Sequence, residues 1–530
     1  MRRLIKSFTS AVLALAMCLG VFSGCRDGDE IALPVDSLGT APSPATDLVN
    51  LGVTDGEFAL PLDLNDSLDP FICSSEANRT VMPLIYDGLF SLDGNFEYHN
   101  ALCESFTMDN DRFYRFKLRE AYFSDGSPVT VEDVIWSVNT ARGSGSRFSS
   151  RLSAVTAVYK SGDELVIEVL NGNPRLPAIL NIPVCKSGDS GIGAGPYMIS
   201  EVGGRRALVP NPYWYGDAEL PSECIYLNSY SSSSELIASF GTSEVDLVTA
   251  DITSSTAPGF TGDYDVWSYN TTTMLYIAYN LKSPVFTIAG SRRVIGLGID
   301  RERIVSEVYG GHAVASTLPV HPDSPYYDSE VAAEGEYSLK RLGEVLKEYN
   351  FGDLLKNGIP DVETYYGWFD LNVDLVVNTE NSYRIEAARI IAEAYKDFGI
   401  KVNLRELGWK DYINAISSGD FDMYLGEVTL SPDFNLYKLM GRNGIMNYGK
   451  YSSDEAEQYL SGGAYDASFF DFFLKSSPFT PILFKDYSVF TRRGTVRGLT
   501  PAQDNVFYGL GNWSLFSPAN TAILDTIQGG

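Results

Sequence analysis

Histidine is nearly absent from this chain of 530 residues, which has only three. His99, His312 and His321 lie far apart and in no H-x-x-H or H-E-x-x-H pattern, which speaks against a histidine-built metal centre. Cysteine is scarce too. After Cys25 there remain Cys73, Cys103, Cys185 and Cys224, whose spacing matches no metal motif; in an exported protein they can pair in alternative ways or stay as small buried thiols. Positive charge is also short, with 40 Lys and Arg against 68 Asp and Glu and a formal net charge of -28. That balance speaks against nucleic acid as a partner and for a surface repelled by anionic lipid. Beyond the N-terminus no run is apolar enough to span a bilayer.

What is present is ample apolar material, 44% of residues, over a length that suggests more than one domain with a large core. Residues 1–24 read as an export signal: Arg2, Arg3 and Lys6 precede the apolar run Ala11 to Val21, and small residues lead to Cys25. Phe22-Ser23-Gly24-Cys25 resembles a lipobox with Phe in place of the usual Leu, so Cys25 is the expected lipidation site and two acyl chains the expected anchor. Residues 25–49 are the expected lipid-anchored linker, rich in Pro, Ser, Thr and Asp. Removal of the signal takes away three cations and moves the formal charge from -28 to -31.

The stretch Arg115 to Val138 carries the clearest local logic. Tyr114, Phe116 and Leu118 alternate with Arg115, Lys117 and Arg119 as in a half-buried strand, and Ser124-Asp125-Gly126 supplies turn chemistry. Thr130 and Asp133 then form a Thr-x-x-Asp start for a helix whose apolar face is Val134, Ile135 and Val138. Two helix-to-strand steps echo one another: Glu235 to Phe240 followed by Val245-Asp246-Leu247, and Tyr412 to Ser417 followed by Phe421-Asp422-Met423. Longer helices are expected over Ser291 to Tyr309, Tyr337 to Tyr349 and Arg384 to Phe398, the last leading through Gly399 into a strand Ile400 to Leu404.

These residues also resemble a known signature. L-R, then F-S-D-G-x-P-x-T-A-x-D-V, is the pattern of extracellular solute-binding protein family 5, the oligopeptide, dipeptide and nickel type, and Val131 is the one departure, standing where the family has Ala. Further segments resemble the family in order: Tyr86-Asp87-Gly88-Leu89, Ala101-Leu102-Cys103-Glu104-Ser105, Gly193-Ala194-Gly195-Pro196-Tyr197, Asn211-Pro212-Tyr213-Trp214, Tyr279-Asn280, Arg292 to Arg301, Phe398 to Val402 and Pro481-Ile482-Leu483-Phe484. The resemblance implies an α/β, two-lobed periplasmic-binding-protein-like fold with mixed sheets, a hinge and an inserted subdomain. The expected division is 50–92 with 191–268 and 487–530 as lobe I, 93–190 as the insertion and 269–486 as lobe II. Region 451–477 is shorter than the family norm.

It further implies a binding protein rather than an enzyme, with no cofactor and no metal. The expected role is the substrate-binding lipoprotein of an ABC importer, a monomer on the outer face of the cytoplasmic membrane that hands a peptide to its permease and ATPase subunits. A sugar, nickel chelate or other small solute, or a surface receptor without transport, are the alternatives. The ligand residues it implies are Asp433 first and Glu427 second as the acid for a peptide ammonium, Asn435 in the same Pro432-Asp433 loop, and Trp409, in Leu407-Gly408-Trp409-Lys410-Asp411-Tyr412, packing beside the ligand. Ser431, standing where the family often has Asp, departs from the pattern.

Two other motifs have plainer readings. Gly188-Asp189-Ser190-Gly191 suggests a serine nucleophile, yet the upstream His99 lacks the surroundings of a catalytic base. Gly191, Gly193 and Gly195 suggest a dinucleotide loop, but Pro196 follows at once and no helix opens there, so a tight re-entrant loop is expected.

Overall fold

Alternation along one strand organises the larger body. In strand Tyr264–Tyr279, Leu275, Ile277 and Tyr279 face one core with Val294, Ile295, Val377 and Ile391, while Met274, Tyr276 and Ala278 face another with Tyr412, Phe469 and Phe473. A strand buried on both faces in this way belongs in the middle of a sheet covered by helices on either side. The computed structural model describes residues 57–110, 112–463 and 465–515. The expected signal, the linker and Cys25 lie outside the described residues.

The central sheet has seven strands, in the order Leu247–Ala250, Phe479–Arg492, Tyr264–Tyr279, Met423–Thr429, Asn372–Asn378 and Lys401–Leu407, with Ala313–Ala315 pairing onto Phe479–Arg492. Two of them are long, 16 and 14 residues, and pair antiparallel from Tyr264 opposite Arg492 to Ala278 opposite Phe479. Their ladder breaks between Asn270 and Met274, where Thr271, Thr272 and Thr273 stand against Lys485 alone. The expected boundaries at 268/269 and 486/487 both fall within these continuous strands.

A second sheet joins Phe58–Asp63, parallel, to Ile225–Tyr230, and then Arg205–Pro210 and Tyr197–Val202, antiparallel. A third, fully antiparallel, has the order Cys103–Asp109, Phe113–Leu118, Glu164–Val169, Val155–Ser161 and is covered by helix Val131–Ala141. Here the local reading holds in detail. Tyr114 and Phe116 are fully buried, and the Thr130 backbone N–H and hydroxyl both donate to the Asp133 carboxylate, at 2.9 and 2.6 Å.

The expected helix Ser291 to Tyr309 is instead two pieces. Helix Ala289–Gly298 ends at Ile299, whose backbone is extended, and Asp300 caps a new start by accepting from the Arg303 N–H at 3.1 Å before a single π turn Ile304–Val308. The other expected helices are found at Leu339–Glu348, Ser382–Glu393, Ser233–Gly241 and Trp409–Ser418. Gly193 and Gly195 mark a close passage rather than a phosphate loop: a Cβ on Gly193 would lie 2.2 Å from the Ile85 carbonyl oxygen. Ser190 Oγ donates to Asp69 at 2.9 Å, and His99 pairs with Asp93, so the two do not meet. Cys73, Cys103, Cys185 and Cys224 are all free thiols, and Cys103 is fully buried. No helix among the described residues is long and apolar enough to cross a membrane.

Candidate ligand-binding site

The break in the long ladder turns side chains toward a hollow of about 170 Å³. Tyr269, Thr271 and Thr273 share one face of strand Tyr264–Tyr279, and their neighbours in the sheet are Tyr487, opposite Tyr269, and Thr429, opposite Thr273. The two threonine hydroxyls lie 3.0 Å apart, and the Tyr269 and Tyr487 rings meet edge to face at 6.1 Å. Helix Glu76–Ile85 forms the opposite wall through Glu76, Arg79 and Thr80, and Arg147 and the loop Gln503 to Val506 complete it. Gln503 ties that loop to the floor: its Oε1 accepts from the Thr272 N–H at 2.6 Å and its Nε2 donates to Thr272 Oγ1 at 3.0 Å.

Charges in this wall are unevenly used. Glu76 is paired with Arg79, and Thr249 donates to Glu76 at 3.4 Å. Asp504 accepts from Arg151 at 2.7 Å and from Asn181 at 3.2 Å. Burial by itself would raise the Asp504 carboxyl, but the guanidiniums of Arg151 and Arg147 outweigh it and hold the group at about 2. Arg147 Nε donates to the Pro70 carbonyl at 3.1 Å, and its guanidinium lies 4.3 Å over the Phe148 ring, at the edge of a second hollow of about 60 Å³ that shares Arg147, Gln503, Asp504 and Asn505.

Beside this floor the protein buries an ion network. Lys485 is fully buried, paired with Asp251 and 3.5 Å from Glu427, and Glu427 also meets Arg384 at 3.1 Å. Two cations and two carboxylates thus balance one another in a place where an unpaired charge would be very costly. Burial, with the nearby Asp251 charge second, pushes the Tyr487 hydroxyl up to about 12, so it stays a neutral donor and acceptor at the edge of the network.

The four residues expected at the ligand are not brought together. Glu427 belongs to the ion network, and Trp409, 49% exposed, stacks on Tyr412 at the start of its helix with its backbone N–H donated to Glu380 at 2.8 Å. Asp433 is 3% exposed and faces elsewhere: it accepts from Asn173 at 2.9 Å and from Ser431. Asn435 caps its own turn by accepting from the Tyr437 N–H at 3.0 Å. Arg79, Arg147, Thr271, Thr273, Tyr487 and Asp504 escape the sequence reading, because nothing local marks them. Lys485 carried a usable signal: a lysine directly after the apolar run Pro481 to Phe484 is out of character for a buried strand unless it is paired. A larger surface groove of about 790 Å³, between Arg303 to Val308 and helix Ser382–Glu393, contains none of these groups.

Two lobes with a polar hollow beside the strands that cross between them define a solute-binding protein. Residues 97–447 match the family described as bacterial extracellular solute-binding proteins, family 5, and the chain belongs to that family, whose members bind solutes and are not enzymes. The oligopeptide-binding protein AppA of Bacillus subtilis is 23% identical over 485 residues, 85% of this chain and 86% of that protein. Its solved structure with a nonapeptide has a TM-score of 0.56 at 19% identity, covering 87% of this chain and 100% of that one. NikZ of Campylobacter jejuni, solved with Ni(L-His), has a TM-score of 0.59 at 15% identity over 87% of this chain and 100% of that one. At these identities the structures show the shared two-lobed α/β fold.

Proposed function

We propose that the protein is the substrate-capturing lipoprotein of an ABC importer, anchored through Cys25 outside the cytoplasmic membrane, and that it takes a peptide between its lobes and delivers it to a permease. The observation that carries this reading is the hollow itself, walled on one side by Thr273, Thr429 and Tyr487 of the sheet and on the other by Arg79 and Arg147. Such a strip of hydroxyls and cations satisfies carbonyls and carboxylates whatever side chains a peptide brings. Likeness to the oligopeptide-binding AppA across most of the chain supports the peptide. The present volume of about 170 Å³ favours a short peptide or a solute of that size over a long one.

Within this reading the lobes divide as the sequence suggests, the hinge is the stretch Asn270 to Met274, and the protein acts as a monomer. Glu427 is the proposed acceptor for a ligand ammonium, which would take the place of the Lys485 ammonium; Asp433, ranked first from the sequence, becomes the second choice, and Trp409 and Asn435 are kept as further candidates. Mass spectrometry of small molecules released from the natively purified protein tests the ligand class: short peptides are expected, and a sugar or metal chelate in their place would overturn the peptide. Membrane fractionation of Cys25→Ser tests the anchor, since release into the soluble fraction is expected and unchanged association would overturn it.

A further inference from the structure

We propose that Asp361 and Asp370 hold a calcium ion that pins the loop 352–361 to the hairpin formed by strands Asp361–Thr364 and Gly367–Asp370. The site is separate from the polar hollow and independent of which solute the protein captures.

The register sets the two acids directly opposite one another at the open end of the hairpin, where like charges weaken a ladder, and their carboxyls are in contact. Asp361 is fully buried. Its Oδ2 accepts from the Leu354 and Leu355 N–H groups at 2.6 and 2.9 Å, but its Oδ1, also buried, meets no donor among the described residues. Asp370 repeats the pattern: Oδ2 accepts from Asn357 Nδ2 at 2.8 Å, and a buried Oδ1 meets none. Burial, and then the facing Asp361, push the Asp370 carboxyl above its ordinary value, and Asp353 adds a further negative charge nearby. Elsewhere this protein balances its buried acids with its own cations, Lys485 for Asp251 and Glu427, Arg492 for Asp246. Two buried carboxylate oxygens without a donor call for a positive charge from outside.

The chain leading to Asp361 favours a metal cation over a shared proton. Counted from Asp353, Asn357 falls at position five, Gly358 at position six with a φ of +82, and Asp361 at position nine, where an EF-hand-type loop places oxygen ligands and its sharp turn. Asp353 curls the loop by accepting from the Asn357 and Gly358 N–H groups at 2.8 and 2.9 Å. Leu355 and Thr364 depart from the pattern at positions three and twelve, and Asp370 supplies the second carboxylate from the facing strand instead. No third acid, histidine or cysteine completes a cage among the described residues, so the ion keeps several waters. Oxygen ligands without nitrogen or sulfur suit a hard cation, and an exposed loop facing a short hairpin suits the tolerant geometry of calcium better than the strict octahedron of magnesium. Two carboxylates and water belong to the weak range, with a Kd of about 10⁻⁴ to 10⁻³ M, that of extracellular calcium modules.

Calorimetric titration of calcium into the chelator-treated protein tests this. Wild type is expected to bind calcium, to melt at a higher temperature in its presence, and to exchange the Leu354 and Leu355 amides more slowly while those of helix Val131–Ala141 stay unchanged. Asp370→Asn should lose at least about tenfold in calcium affinity together with the change at Leu354 and Leu355. In chelator the same variant should melt no lower than wild type, because one of two facing charges is gone, which separates loss of the site from loss of the fold. A wild type that takes up no calcium would overturn the site and leave the pair to a shared proton. Uptake by Asp370→Asn as tight as by wild type would overturn it as well, by placing the ion elsewhere on this acidic chain. Because no solute enters these measurements, a wrong ligand class leaves the result intact.

Discussion

Glu427 and Asp433 belong to one strand and the loop that follows it, yet they serve two regions built on different principles. Glu427 is balanced by charge, in a four-member network with Arg384, Lys485 and Asp251 beside the polar hollow. Asp433 is balanced by hydrogen bonds, from Asn173 and Ser431, inside an aromatic contact between lobes. A charged network of this kind can exchange one cation for another and suits a site that must admit a solute; a dry contact of rings and amides suits a joint that must close the same way each time. The type of residue does not tell the two apart, and only the neighbours do.

Lys485→Met is the strongest way to break the comparison, because it leaves Asp251 and Glu427 together without their buried cation. A loss of about 3 to 5 kcal/mol is expected in urea unfolding. Adding Glu427→Gln should restore part of it, and a harmless Lys485→Met would mean that water rather than the lysine balances the acids.

Asp486 lies between the two regions, opposite Asn270 at the break in the ladder. Burial, and then Asp323, push its carboxyl up to about 7. The folded state therefore keeps a proton that the unfolded chain, with a carboxyl near about 3.9, has already released. Stability is present in full at low pH and is lost as pH rises from about 4 through about 7. Asp486→Asn should gain on wild type by up to roughly 4 kcal/mol at pH 8 and by nothing at pH 4, measured as unfolding curves at both values. An equal gain at both would deny the buried proton.

Asp433→Ala orphans the Asn173 amide, 8% exposed, and should cost about 1 to 2 kcal/mol in the same assay. Its effect on solute affinity sharpens the contrast: the loss should be smaller than in Glu427→Gln, and the reverse order would return Asp433 to the solute. Arg147→Ala is the mildest. Losing its Pro70 hydrogen bond, its place over Phe148 and part of the Asp504 balance should cost roughly 0.5 to 1 kcal/mol, while weakening binding of a peptide that carries a free carboxylate, as calorimetry would read.

Local chemistry was legible in the sequence wherever partners lie a few residues apart. Thr130 with Asp133 and the alternation of Tyr114 and Phe116 follow from neighbours along the chain; Pro196 after Gly195 marks the tight loop, but the Ile85 carbonyl that crowds Gly193 lies far away in sequence. The break at Asp300 was not, because the apolar period continues through it and only the Asp300 side chain announces a new start. The hollow was least legible. It gathers Arg79, Thr273, Thr429, Tyr487 and Asp504 from distant stretches, and periodicity shows which face is buried without showing what covers it. Phe96 reads as any turn residue until its ring is found in the other lobe.

The three threonines at the gap in the long ladder carry a consequence for how this protein can change. Thr271 spends its hydroxyl on the Lys485 carbonyl, Thr272 leans on Gln503, and Thr273 meets Thr429, so on the Phe479–Arg492 side no strand neighbour takes up their backbone in the regular way. On the proposed reading, the place where the ribbon is easiest to bend is thus also the floor that faces the solute. Any drift in taste for one cargo over another at these codons is at the same time a drift in stiffness, and the protein cannot retune one without retuning the other.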